Sequence, residues 1–192
     1  SMYDLGNFVL EQALWDSKLF LQQNPDFFIN VNVSAKQLER PDFCRVVLEL
    51  LDKTEFPVRH LCLEITERCR SLPVSVINER MAVLRGYGIK FAMDDFGTGS
   101  SSSAMALEML IDEIKIDMSF IRKILVNKKN KAIVQSMVDF ANAANIKSWL
   151  EGVENKALED YLRTVGATWF QGYYYSKPVG ADELEILLSA KK

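Results

Sequence analysis

The chain has 192 residues, 48% hydrophobic and 26% charged, the balance of one globular domain rather than a disordered tail or a multi-domain assembly. Twenty-three Lys and Arg against 26 Asp and Glu give a formal net charge of −3, which supplies no general attraction to a nucleic-acid polymer or an anionic membrane. Cys44, Cys62 and Cys69 are odd in number and form no CxxC pair, which argues against a disulfide framework or a structural zinc site and for reduced thiols in the cytoplasm. No apolar run reaches the roughly 18 residues of a membrane span. The opening Ser1-Met2 reads as an expression scar, so the chain is expected to be an excised piece of a parent that could be membrane-tethered elsewhere.

In chain order the patterning predicts helix Leu5–Gln22, strand Phe27–Val33, helix Asp42–Asp52, strand Leu61–Ile65, helix Pro73–Arg85 and strand Lys90–Met93. A short helix after Ser101 follows, then strand Glu113–Ile116, helix Lys131–Ala144, strand Ser148–Glu151, helix Lys156–Thr164, strand Thr168–Phe170 and helix Ala181–Ala190. In Lys131–Ala144, residues Ile133, Val134, Met137, Val138 and Ala141 repeat at helical spacing and predict one buried stripe. No linker interrupts the alternation, so residues 1–192 are expected to form one continuous domain with a parallel sheet and crossover helices. A doubly wound open sheet and an incomplete TIM-type (β/α) barrel both fit. About 32 residues per unit corresponds to about six of the eight units in a barrel of roughly 250 residues.

The polar residues favour an active site. Asn32 ends the first strand, Glu64 lies in the second, Asp94 and Asp95 follow the third, Lys115 lies in the fourth, Glu151 ends the fifth and Gln171 follows the sixth. Carboxyl ends of parallel strands surround the active site in both architectures, and buried charges need partners or metals. Glu64, Asp94, Asp95 and Glu151 with the Asn32 amide oxygen form an all-oxygen set suited to Mg2+ or Mn2+. The single histidine, His60, begins its strand, at the wrong end. Adjacent Asp94 and Asp95 converge only where the chain leaves the strand, a curl that Gly97 and Gly99 permit. An acidic pair of this kind suits a two-metal phosphoryl hydrolase. Taken singly, each residue has a plainer reading: the Asp-Gly turn as a helix cap, Lys115 as a snorkelling side chain, Glu151 and Glu154 as a solvated helix start, Asn32 as a turn former before a Ser34 cap, and Cys62 as an interior filler.

Residues 30–34 (NVNVS), 63–67 (LEITE), 94–99 (DDFGTG), 114–117 (IKID), 151–154 (EGVE) and 171–178 (QGYYYSKP) together resemble the EAL-domain cyclic di-GMP phosphodiesterases of bacterial signalling. The resemblance implies an incomplete TIM-type barrel, the C-terminal three quarters of such a domain, which hydrolyses cyclic di-GMP to linear pGpG with Mg2+ or Mn2+, in the intact domain at a two-metal site. By this resemblance Asn32, Glu64, Asp94 and Asp95 are metal ligands, Lys115 holds the attacking water or a phosphate oxygen, and Glu151 is a metal ligand or general base. Gln171 borders the substrate, and Glu67 and Glu154 anchor the loop Phe96–Ser103.

Three departures stand out. The Glu-Ala-Leu motif and its metal-ligating glutamate would precede residue 1, Ser100 stands where an aromatic residue is usual, and Met118 where Arg is usual. Two absent strands would leave sheet edges that pair with a second copy, as a homodimer or swapped assembly, and would impair or abolish activity in this piece. Sensory or GGDEF domains upstream fit the same parent. The rival reading is a catalytically silent module that binds cyclic di-GMP or a protein. A receiver-type phosphorylation domain fits poorly, because its acidic pair belongs on the first strand.

Overall fold

The computed structural model describes residues 2–66, 72–99 and 102–189. Its strands are β1 (Ile29–Asn32), β2 (Leu61–Thr66), β3 (Lys90–Phe96), β4 (Glu113–Ile116), β5 (Lys147–Glu151) and β6 (Trp169–Gln171). They lie in the order β1-β2-β3-β4-β5-β6, and the pairs β1–β2, β3–β4, β4–β5 and β5–β6 are parallel. A doubly wound sheet reverses its strand order at a switch point. Order that follows the sequence throughout belongs to the (β/α)8 class, here with six of the eight units, so the architecture is α/β and of the incomplete TIM type.

Each expected strand is present, Glu113–Ile116 with the expected bounds and the other five with one or both ends shifted. The longer helices α1 (Met2–Gln23), α3 (Phe43–Thr54), α4 (Val74–Gly86), α5 (Ser102–Glu108), α7 (Lys128–Ala143), α8 (Lys156–Arg163) and α9 (Ala181–Ser189) also fall where expected. Periodicity does not reveal α2 (Ala35–Leu38), the 3-10 turn Val58–His60 or α6 (Met118–Ile121), because elements this short never complete a repeat of the helical pattern.

The chain divides into two compact units, Ser1–Phe91 with Val179–Lys192, and Ala92–Pro178. In the first, α1 buries Leu10, Leu14 and Phe20, and α3 buries Phe43, Val47 and Leu51 at i, i+4 and i+8. The opposite side of α1 exposes Leu5, Phe8, Val9, Trp15 and Leu19. His60 is 9% exposed and structural. Its Nε2 accepts from Arg59 Nε at 3.0 Å, which leaves Nδ1 to donate to the Phe27 carbonyl at 2.6 Å. Cys62 is buried among Leu61 and Leu63, as an interior filler should be.

In the second unit β4 is buried on both faces, Glu113 and Lys115 included. Asn127 caps α7 by accepting from the Lys129 amide at 2.9 Å. The expected five-residue stripe of α7 divides. Val134, Val138 and Ala141 are fully buried, whereas Ile133 is exposed and with Met137 helps line a 370 Å³ cavity beside Phe96, Ala132, Ser136 and Phe140. On that flank Phe96 stacks on Phe140 at 6.1 Å, and periodicity alone does not say how much of a helix face its neighbours cover.

Gly172 follows β6 because its backbone crosses that of Val153: Val153 N–H donates to the Gln171 carbonyl at 3.0 Å, and Tyr174 N–H to the Val153 carbonyl at 2.9 Å. A Cβ on Gly172 would overlap the Val153 main chain, which cannot move aside as a side chain can. Gly172→Ala is expected to lower the urea-unfolding free energy by about 3 kcal/mol, the upper range for overpacking.

Candidate active site

The two units each carry part of the predicted residue set. In the first, Asn32 ends β1 opposite Glu64 of β2 in the strand register. Glu64 is 3% exposed, and its Oε1 accepts from Asn30 Nδ2 at 2.8 Å. The Val33 amide donates to the Glu64 carbonyl at 2.8 Å, which carries the pairing past Asn32. Ser34 then caps α2. Its amide donates to Gln37 Oε1 at 3.1 Å, and its hydroxyl oxygen accepts from the Gln37 amide at 3.3 Å. Gln37 is itself buried and donates to Asn7 Oδ1 at 3.1 Å. The cap is thus built by Ser34 and Gln37 and does not require Asn32, whose side chain is exposed.

In the second unit, Lys115 is 6% exposed and its ammonium lies 2.8 Å from Glu151 Oε1 and 3.7 Å from Asp94 Oδ1. A lysine snorkelling to water would not be held this way, since its charge is met inside by two carboxylates. Asp94 and Asp95 lie within β3, not after it, and the register slips between Met93 and Phe96. The curl expected from the glycines begins earlier, at Asp95 itself, which has φ 54° in the left-handed region, and continues through Gly97 at φ 95°. Asp tolerates that region better than most residues. The turn closes where Thr98 donates through its amide (3.2 Å) and hydroxyl (2.9 Å) to the Asp95 carbonyl. The slip leaves Asp94 half-buried, Asp95 exposed and Phe96 buried, so the two carboxylates escape the strict alternation of a strand.

Glu151 pairs in register with Gln171, and Lys115 with Trp149. Trp149 stacks on Trp169 at 5.6 Å and donates from Nε1 to Glu113 Oε2 at 2.6 Å. By strand alternation Trp149 shares a face with Glu151, and Glu113 shares one with Lys115. This buried carboxylate and its indole partner therefore stiffen the layer next to the functional residues. Gly152 has φ 78°, and a Cβ there would meet the Met118 side chain. Met118 thus packs against the turn after Glu151. Glu154 is exposed and pairs with Arg122 at 3.5 Å. Glu67, Ser100 and Cys69 lie outside the described residues. Past Gln171, burial and then the Glu159 carboxylate raise the Tyr175 hydroxyl above its ordinary pKa, and that hydroxyl donates to Glu159 at 3.2 Å.

Asn30 and the Glu113–Trp149 pair are absent from the sequence-based set. Asn30 had a signal, because alternation places it on the face of Asn32. Glu113 had one too, as a charged residue in an otherwise apolar strand. Among the described residues no group of three His, Cys, Asp or Glu side chains stands together as a metal cage. The donors nonetheless fit a hard divalent cation in kind: all are oxygens, and Lys115 already places positive charge between Glu151 and Asp94.

This fold is an incomplete α/β barrel of the TIM type that carries polar and charged residues at its strand ends. The EAL domain family matches residues 2–178, and the chain belongs to that family. It is 31% identical over 175 residues to the cyclic di-GMP phosphodiesterase PdeA of Borreliella burgdorferi, covering 91% of this chain and 26% of PdeA. Among solved structures it resembles the EAL enzyme Bd1971 bound to cAMP and cyclic di-GMP, with a TM-score of 0.92, 32% identity, and coverage of 96% of this chain and 51% of that one. It also resembles Klebsiella pneumoniae BlrP1 in a manganese and cyclic di-GMP complex, with a TM-score of 0.82, 25% identity, and coverage of 92% of this chain and 45% of that one. The chain spans about a quarter of the length of the curated relatives it matches. No helix among the described residues is long and apolar enough to cross a membrane.

Proposed function

We propose that residues 1–192 are the C-terminal three quarters of a phosphodiesterase domain that hydrolyses cyclic di-GMP to pGpG. Asn32, Glu64, Asp94, Asp95 and Glu151 would hold Mg2+ or Mn2+, which would supply Lewis acidity at the phosphodiester. Lys115 stabilises negative charge on a phosphate oxygen or orients the attacking water, and Glu151 accepts that water's proton. Gln171, beside Glu151 in the register, borders the nucleotide, and Glu67 and Glu154 steady the loop that follows Asp95. The single observation that carries this reading is the buried Lys115 ammonium held by Glu151 and Asp94. A stable structural core rarely retains such an arrangement when apolar residues would serve. The exposed apolar row of α1 supports pairing with a second copy or with upstream segments of a cytoplasmic parent.

The test sets cyclic di-GMP binding beside turnover, in this chain and in a form extended upstream. Mn2+-dependent pGpG formation by the extended form is the expected result. Tight binding without turnover in that form would make the domain a silent sensor, and neither binding nor turnover would sink the proposal.

A further inference from the structure

We infer that Asn30 is a positioning residue that fixes the Glu64 carboxylate in the orientation from which it binds a divalent cation. The inference rests on the phosphodiesterase reading of Glu64. Asn30 lies two residues before Asn32 on β1, on the same face, while Val31 and Val33 point the other way and are buried. Its Nδ2 donates to Glu64 Oε1 at 2.8 Å. The amide orientation is dictated by the carboxylate, because the flipped amide would set oxygen against oxygen.

Holding Nδ2 on Glu64 has a cost, since Asn30 Oδ1 is buried with no hydrogen-bond partner among the described residues. A group kept only for packing would not carry an orphaned acceptor, which an isosteric leucine would avoid. What the amide gains is the charge-assisted bond to a carboxylate that is 3% exposed. Groups that orient a metal-binding side chain from behind act in this way, and their loss typically weakens metal affinity about 10- to 100-fold.

The test is Mn2+ titration of this chain, wild type beside Asn30→Leu, Asn30→Ala and Glu64→Gln, with thermal melting of each in the absence of metal. The expected result is Mn2+ affinity weakened at least about tenfold in both Asn30 variants, with melting temperatures close to wild type in at least one of them. Wild-type affinity in either folded Asn30 variant overturns the inference, as does a loss of affinity only in step with lost stability. If Glu64→Gln binds Mn2+ like wild type, or if the wild-type chain binds none, the reading of Glu64 fails and the inference with it. A silent Asn30 beside a deleterious Glu64→Gln overturns the inference alone.

Discussion

Lys115→Met is expected to destabilise the metal-free chain by about 3 kcal/mol, read as the change in urea-unfolding free energy. Removing one member of a buried ion pair is commonly worth 3–5 kcal/mol, because the partner charge remains without compensation. The lower end applies here, since the Asp94 and Glu151 side chains each keep 17% exposure and so some access to water. Methionine fills most of the lysine stem's volume, which confines the effect largely to charge. Saturating Mn2+ should recover much of the loss if these carboxylates are cation ligands, because a ligand at 100 times its dissociation constant adds about 2.7 kcal/mol. A stability equal to wild type without metal would show that Lys115 is not the internal counter-ion described above.

Glu151→Gln in an extended, active form is expected to lower kcat by about 10²- to 10⁴-fold, the usual contribution of a positioned general base, with a smaller change in KM. The amide keeps the size of the carboxylate but can neither take up a proton nor balance Lys115, 2.8 Å away. A proportionate rise in KM with kcat intact would instead assign Glu151 to uniform substrate binding. Steady-state kinetics with product separation distinguishes the two results.

The positions of the strands and the polar residues at their ends were legible in the sequence for one physical reason. Charged and amide side chains at Asn32, Glu64, Lys115 and Glu151 interrupt runs that burial would otherwise keep apolar, so they mark both the strand and its polar end. The geometry of the acidic pair was only half legible. Gly97 and Gly99 signal a departure from the strand, yet the left-handed step begins two residues before Gly97, at Asp95, which alternation alone would have kept in extended backbone. Asn30 stood inside a recognised motif but gave no sign that its amide reaches across to Glu64, because a cross-strand contact depends on register as well as sequence. The stripe on α7 was misjudged at Ile133 because helical periodicity says which residues share a face, not how much of that face the neighbouring elements cover.

The most direct test of the central claim is the product formed from cyclic di-GMP by the upstream-extended form, stripped of metal by chelation and then assayed with and without added Mn2+. The account predicts pGpG as the product, formed only when metal is returned. Hydrolysis undiminished in chelator, or no pGpG with metal present, would contradict it.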